Sequence, residues 1–497
     1  MAGPDSFLAF DLGAETGRAL LGRLAGGRLE SRELHRFPTR FLPLPTGLHW
    51  NVYRIYEELL RGLELAAGAA GGRLAGLALD TWGVDFALLA AEGSLLGLPH
   101  AYRDSRTAGA AERFYRRLSK ARLYELTGLQ ELPFNTLFQL EAMVGDRSPL
   151  LDKAAALLFM PDLFNHLLTG RMVTEETIAS TSQLYDTLAG GWSEEVIRAL
   201  GVPAALFQEV VPPGTRLGAL AGETAPAGLG GTPVYAAAAH DTASAVAAIP
   251  ARGEGWAYIS SGTWSLVGVE LASPCRTPAA RAGNFTNEGG LGGTTRFLRN
   301  VMGLWLLQEC RRRWSREREW SYAELAAAAA AAPSFKALVD PDWPGFLNPP
   351  DMPAAVARFC RLTDQPVPAG PGGMTRALCE GLALKYALVL EEIGAVTGKP
   401  VDRVHLVGGG SRNELLCRFT AGALGLPVLA GPAEATGAGN LLVQAMGAGL
   451  VEGPAGVREA AVATFSPRRH EPREVESWAR VREDFREICA VAERWEG

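Results

Sequence analysis

Hydrophobic and polar positions at the start of the chain predict strands. FLAFD (7–11) is apolar and of strand length, DLGAETG supplies turn residues, and RALLGRL (18–24) resumes an extended pattern. Gly26 and Gly27 then turn the chain into RLESREL, which gives a three-strand meander. RLAGLALD (73–80) is a further apolar run that ends in an acid, and WGVDFALLA and LLGLPHAYRD continue with extended segments and turns. Between 106 and 200 the apolar spacing changes to three and four, which predicts helices. After Pro250 the order repeats: WAYIS (256–260) and WSLVGVEL (264–271) read as strands around an SGT turn. Long helical stretches follow, and then VDRVHLVGGG (401–410), a strand ending in a glycine turn before the helix at RNELLCRFTAGALG. Each half therefore opens on a strand–turn–strand unit, near residues 7 and 256. This is a duplication of architecture rather than of letters, and it predicts two α/β domains facing a common cleft. The division is expected at 1–247 and 248–497, with a hinge over 248–255, and the charged stretch 473–497 reads as a closing helix.

Length and composition narrow the class. A chain of 497 residues exceeds what one hydrophobic core usually supports. Its 47% hydrophobic and 21% charged content is ordinary for a globular protein. The net charge of −6 and the lack of any Lys/Arg block argue against nucleic acid as a partner. The six cysteines are scattered, without CxxC or Cys/His clusters, so reduced thiols in a cytoplasmic protein are expected, with a Cys360–Cys379 pair left open. The N-terminus lacks the pattern of a signal peptide, and the alanine run 326–332 is too short to span a bilayer, so no membrane association is expected.

Three stretches carry candidate chemistry. DLGAETGR and SSGTWS are tight turns rich in glycine and hydroxyl residues, which expose backbone N–H groups able to bind phosphate. Asp11, at the strand end before the first turn, is suited to Mg²⁺ held through water. VGGGSRN (407–413) offers a flat backbone for a planar ligand, or a bland turn, with Asn413 as a helix cap. AVTGKP (395–400) is not a phosphate-binding P-loop, because Pro400 stands where the hydroxyl belongs; Gly398 reads as a left-handed helix cap. In AAAHDTASAVAA (237–248), Asp241 reads either as an N-cap or as a functional acid. The small residues around it favour the acid, since they leave room for a substrate hydroxyl to reach the carboxylate.

Taken together, DLGAETGR, TWGVDF (81–86), YRDSRT (102–107), HDTASAV, SSGTWSL and VGGGSRN resemble the FGGY carbohydrate kinases. The resemblance runs in order from about residue 7 to 465. It implies two actin-like, ribonuclease H-like α/β domains with the active site in the interdomain cleft, and ATP-dependent phosphorylation of a sugar with Mg²⁺. ALDTWGVDFALL, LPFNTLFQL, HDTASAV, SSGTWSLVG and NVMGLWLLQ resemble the members that act on the O1 hydroxyl of L-rhamnulose. Other ketoses such as L-fuculose or xylulose, a non-catalytic sugar sensor, and a filament-forming or chaperone-like ATPase are the competing readings. Carried over by position, the resemblance makes Asp241 the general base and Trp82, Gly83, His240, Thr242 and Asn300 the sugar contacts. It makes Ala14, Glu15, Thr16, Gly17, Arg18, Thr263, Gln308 and Gly409 the ATP-binding positions, with Asp11 toward the metal. Glu15 departs from the small hydroxyl residue expected there, and a carboxylate beside a polyphosphate is tolerable only if it points away. The resemblance implies a monomer or small homo-oligomer.

Overall fold

The computed structural model describes residues 5–222 and 225–492. The chain forms two compact units, and neither is continuous in sequence. The first runs to Pro250 and takes in Glu270–Phe297 and Ala435–Phe465; the second comprises Ala251–Val269, Leu298–Glu434 and the chain from Ser466. The first long segment ends at Pro250, against a division expected at 247/248, and two later segments return to the first unit. Hydrophobic periodicity marks elements, not the unit they join, so this return leaves no local trace in the sequence.

The first unit is built on a six-stranded sheet. In spatial order its strands are Arg216–Ala219, Pro233–His240, Gly76–Thr81, Ser6–Leu12, Thr16–Ala25 and Arg28–Pro38. The meander predicted from residue 7 is the antiparallel trio at one side. Ser6–Leu12, Gly76–Thr81 and Pro233–His240 run parallel, so their C-terminal ends lie along one edge. In open α/β sheets that edge is where ligands bind. All seven residues of Ser6–Leu12 are buried, as a central parallel strand with both faces covered requires.

Helix Ala435–Gly447 packs on this sheet and on helix Asp241–Ala247. A Cβ on Gly439 would run into the carbonyl oxygen of Ser244, so the two backbones approach without side chains between them. The small residues after Asp241 thus serve helix–helix packing: Ala243, Ser244, Ala245 and Ala247 are buried. Ala236–Ala239 are likewise buried within the sheet strand. The expectation that these small residues leave room for a substrate is corrected, because the space they leave is filled by protein. Arg458, on helix Gly453–Thr464, donates to the carbonyls of Val246 and Ile249 and pairs with Glu270 at 2.7 Å, which ties down the end of that helix.

The second unit repeats the plan. Trp256–Ser261 and Trp264–Leu271 form an antiparallel hairpin, and Trp256–Ser261 pairs in parallel with Arg403–Val407. Val428–Ala430 extends the parallel set and Arg468–His470 closes it antiparallel. Helix Gly370–Thr397 ends at Gly398, whose φ of 66° and N–H bond to the Gly394 carbonyl are the left-handed cap expected there. Asn413 caps Glu414–Leu424 by accepting from the Leu416 N–H, also as expected. The closing helix is Val475–Ala492; the remainder of the predicted 473–497 stretch after 492 lies outside the described residues.

All six cysteines are free. Cys360 and Cys379 are buried in different apolar clusters, where burial pushes the thiols up to about 11 and about 12. Among the described residues, no helix is long and apolar enough to cross a membrane.

Candidate active site

The strand ends of the first unit bring three carboxylates into one neighbourhood. Asp11 and Asp80 are register partners on adjacent parallel strands, and Asp241 follows the end of the third. Burial raises the carboxyl of Asp11 above the usual range, and Asp241 adds to the rise while Arg18 opposes it. Burial raises Asp80 further still, and the Asp11 charge beside it adds to the rise. Asp241 also adds to the rise of Asp80, as a like charge in a poorly hydrated site does.

Asp11 is tied across the hairpin to Arg18, Nη2 to Oδ2 at 2.5 Å. The guanidinium expected at ATP is therefore bound to the strand-end acid. In the turn between them Glu15 and Thr16 are exposed, while Gly13 and Ala14 are half-buried. Gly17 is needed for packing, because a Cβ there would meet the ring of Phe37. Thr39 straps the turn, with its N–H donating to the Glu15 carbonyl and its hydroxyl to the Gly13 carbonyl.

Asp241 does not act as the cap of its helix. It is the first residue of its helix, His240 occupies the cap position, and no side chain caps the helix. Thr242 donates its hydroxyl to Asp241 Oδ1 at 3.2 Å. The Asp241 side chain keeps 31% of its surface exposed although its surroundings are buried. Burial raises its carboxyl above the usual range, and His240 pulls it back. Buried groups hold the strand before it: Glu175 accepts from the Ala239 N–H and Thr177 from the His240 N–H. Burial brings the Glu175 carboxyl to about 7.

The TWGVDF loop is held by Asp85. Its Oδ2 accepts from the indole N–H groups of Trp50 at 2.6 Å and Trp82 at 3.0 Å and from the Tyr102 N–H, and Oδ1 accepts from Gln139. The two indole rings lie 4.0 Å apart. Burial raises Asp85 to about 6 against the pull of these donors. Val84 adopts φ of 66°, a left-handed conformation that a β-branched residue reaches only under constraint. The constraint is visible, since Thr181 accepts from its N–H and Thr136 donates to its carbonyl. Such over-determined strain is typical of functional loops. Gly83 faces Thr181, which a Cβ would approach to 3.2 Å.

In the second unit, the hairpin turn at Gly262–Thr263 is backed by the NVMGLW stretch. Gly303 and Trp305 donate their N–H groups to the Thr263 carbonyl, and Leu304 donates to that of Gly262. Gly303 has no room for a side chain, because a Cβ would lie 2.6 Å from the Trp264 backbone. Asn300 is half-buried on strand Thr295–Met302, and Gln308 lies on helix Trp305–Trp314 with its Oε1 buried and without a hydrogen bond. The glycine turn presses on the same hairpin: a Cβ on Gly408 would lie 2.9 Å from the Ser261 carbonyl, and one on Gly410 would collide with the Ser261 side chain. Gly409 between them is exposed with open space beside it.

Sequence reasoning missed Asp80, Asp85, Glu288 and Arg296. Asp80 ends the apolar run 73–80 that reads as a strand, the observed strand being Gly76–Thr81, and that position was the available signal. Its Oδ2 accepts from Asn440 Nδ2 at 2.6 Å, and Oδ1 is buried without a partner. Glu288 and Arg296 lie against His240, Nδ1 being 3.2 Å from the carboxylate and 3.1 Å from the guanidinium.

Comparison with known proteins identifies the family. The model of the N-terminal domain of the FGGY family of carbohydrate kinases matches residues 6–248, and that of the C-terminal domain matches 257–448. The chain is 44% identical over 474 residues to a protein named rhamnulokinase from Bacteroides thetaiotaomicron, covering 95% of this chain and 97% of that one. It is 40% identical over 471 residues to another of that name from Pectobacterium carotovorum, covering 94% and 93%. Among solved structures, the ligand-bound xylulose kinase from Lactobacillus acidophilus superposes with a TM-score of 0.79 over 98% of each chain at 13% identity, a likeness of fold.

Proposed function

Because this chain belongs to the FGGY family of carbohydrate kinases, we propose that it transfers the γ-phosphoryl group of ATP to the O1 hydroxyl of L-rhamnulose. The products are L-rhamnulose 1-phosphate and ADP. The names of its full-length relatives support the choice of sugar. The observation that carries the chemistry is Asp241, a part-exposed carboxylate beside His240 and Thr242 that does not cap its helix.

In this reading Asp241 takes the O1 proton as the O1–phosphorus bond forms and the bond to the β-phosphate oxygen breaks. Base assistance of this kind supplies about 10²–10⁴ in rate. A carboxyl raised above the ordinary value accepts that proton more readily, provided the pH keeps it ionised. Trp82, Gly83, His240, Thr242 and Asn300 contact the sugar, with the Trp82 ring available to the C6 methyl of a deoxy sugar. The turn of Ala14, Glu15, Thr16, Gly17 and Arg18 meets phosphates through its backbone, with the Glu15 side chain exposed. Thr263, Gln308 and Gly409 bind the nucleotide, so the first unit serves mainly the sugar and the second mainly ATP.

Among the described residues no three His, Cys, Asp or Glu side chains converge to hold a metal alone. The buried, unpartnered Asp80 Oδ1 and the neighbouring Asp11 nevertheless make a region that fits a hydrated Mg²⁺ arriving with ATP. That ion neutralises phosphate charge when bound. ADP release measured over a panel of ketoses and polyols tests the reading. Turnover that depends on L-rhamnulose is expected; preference for L-fuculose or xylulose reassigns the sugar, and ATP turnover without any sugar, or none at all, rejects the reading.

A further inference from the structure

We propose that Glu288 and Arg296 are positioning residues for the base: together they select the His240 form that presents Nε2–H to Asp241. The inference rests on the assignment of Asp241 as the base. Arg296 is fully buried, with Nε donating to the Gly289 carbonyl at 2.8 Å and Nη1 3.1 Å from Glu288 Oε2. Its Nη2 lies 3.1 Å from His240 Nδ1, and Glu288 Oε2 lies 3.2 Å from the same nitrogen. On the far side of the ring, Nε2 is 3.4 Å from Asp241 Oδ1.

One ring nitrogen facing both a guanidinium and a carboxylate restricts the imidazole. A guanidinium only donates, so against Arg296 a neutral His240 keeps its lone pair on Nδ1 and its proton on Nε2. An imidazolium donates from Nδ1 to Glu288 and again carries a proton on Nε2. The disfavoured form is the neutral ring with its proton on Nδ1: it loses the Arg296 donor at Nδ1 and, unlike the imidazolium, turns a lone pair toward the Asp241 carboxylate. Both allowed forms carry the Nε2 proton on the side of Asp241 Oδ1, 3.4 Å away, the oxygen to which Thr242 donates. Oδ2 is then the oxygen left to take the sugar proton. Glu288 and Arg296 do this without adding net charge to a site that already holds Asp11, Asp80 and Asp241. Burial works to raise the Glu288 carboxyl, but Arg296 and His240 outweigh it and hold it below the usual range.

The groups facing His240 are Asp241 on its own helix, Glu288 and Arg296 on the two strands beside it, and Thr177 at its backbone; Glu175 holds the preceding residue. The test is Glu288→Gln, alongside the double variant Glu288→Gln/Arg296→Gln, which leaves no unbalanced buried charge. In the double variant we expect kcat to fall about tenfold or more, a part of the ~10²–10⁴ that base assistance supplies. KM for ATP stays near native, and the acid limb of the kcat–pH profile moves to higher pH because Asp241 has lost a donor. A purely structural role lowers the melting temperature and leaves that limb in place, and a folded double variant with native kcat and profile overturns the proposal. Nitrogen-15 spectra of histidine-labelled native protein give an independent reading, with the His240 signals assigned by their loss in His240→Asn. Protonation at Nε2 is expected, and a neutral ring protonated at Nδ1 overturns the proposal. Should Asp241→Asn retain turnover, the base assignment itself fails, whatever the ring nitrogens report.

Discussion

The two hairpins open their units on the same scaffold and carry opposite chemistry. In each, a strand runs into a glycine-containing turn, returns antiparallel, and pairs on its other side with a parallel strand from far along the chain. At the first turn that parallel neighbour carries Asp80 one residue before its end, beside Asp11 and near Asp241. At the second, Ser260 pairs with Val407, and the chain goes on into Gly408, Gly409 and Gly410. The first edge concentrates carboxylates that are costly to bury. The second is neutral and works by shape: Gly303, Gly408 and Gly410 each stand where a side chain would strike the hairpin. In the proposed reading, the duplicated frame supplies one edge for moving a proton and another for holding a ligand against backbone. The first depends on charge and the second on the absence of bulk.

The sharpest way to break this contrast is to remove one group from each edge. Asp241→Asn is expected to lower kcat by about 10²–10⁴ with KM values near native. Thr263→Ala, which deletes a neutral hydroxyl, is expected to cost about 1 kcal/mol of ATP binding, less than tenfold in KM. Comparable losses of kcat in both would erase the distinction. Next in size is Gly410→Ala. Forcing a methyl into a filled space costs about 1–3 kcal/mol, and the expected readout is a KM for ATP raised by about tenfold or more with kcat retained. A silent Gly410→Ala would mean that the second edge does not depend on close packing.

A smaller effect concerns the aromatic wall beside the acids. Asp85, raised to about 6 by burial, is protonated as pH falls through that value, and its hold on Trp50 and Trp82 weakens. KM for the sugar should therefore rise below about pH 6. Asp85→Asn should show the higher KM at every pH, in steady-state kinetics at saturating ATP. The smallest effect is on stability. The folded value of Asp80 lies above its unfolded value, so the fold favours the protonated form. Its contribution is complete below the unfolded carboxylate pKa and is lost as pH rises toward the raised folded value. The difference in melting temperature, Asp80→Asn minus native, should therefore grow with pH, at a rate of at most about 1.4 kcal/mol per pH unit. A difference that shrinks with pH would mean that Asp80 is stabilised as the anion.

Much of this was legible because it is local. WSLVGVEL forms a strand over the residues expected of it, Gly398 takes the left-handed cap, and Asn413 caps its helix. Both hairpins follow from apolar runs separated by turn residues. What escaped depends on distant chain segments meeting. Nothing within NEGGLGGTTRF announces that Glu288 and Arg296 lie against His240, since that contact is fixed by tertiary register. Small residues around Asp241 looked like room for a ligand, whereas Gly439, nearly two hundred residues later, packs against them. Composition reveals that a surface is narrow without revealing what fills it.

The return of helix Ala435–Gly447 to the first unit sets a timetable for making the protein. Asn440 supplies the amide for Asp80, and Gln444 donates to the carbonyl of Leu8. A ribosome therefore finishes the central strands of the first unit early, yet their polar groups wait for partners encoded near the other end of the message. Domains commonly fold in order as they emerge, but here the first to appear is among the last completed. A chain stopped short of Gln444 lacks that late partner at Leu8, so a stalled or truncated product is an unfinished first unit rather than a free-standing half enzyme.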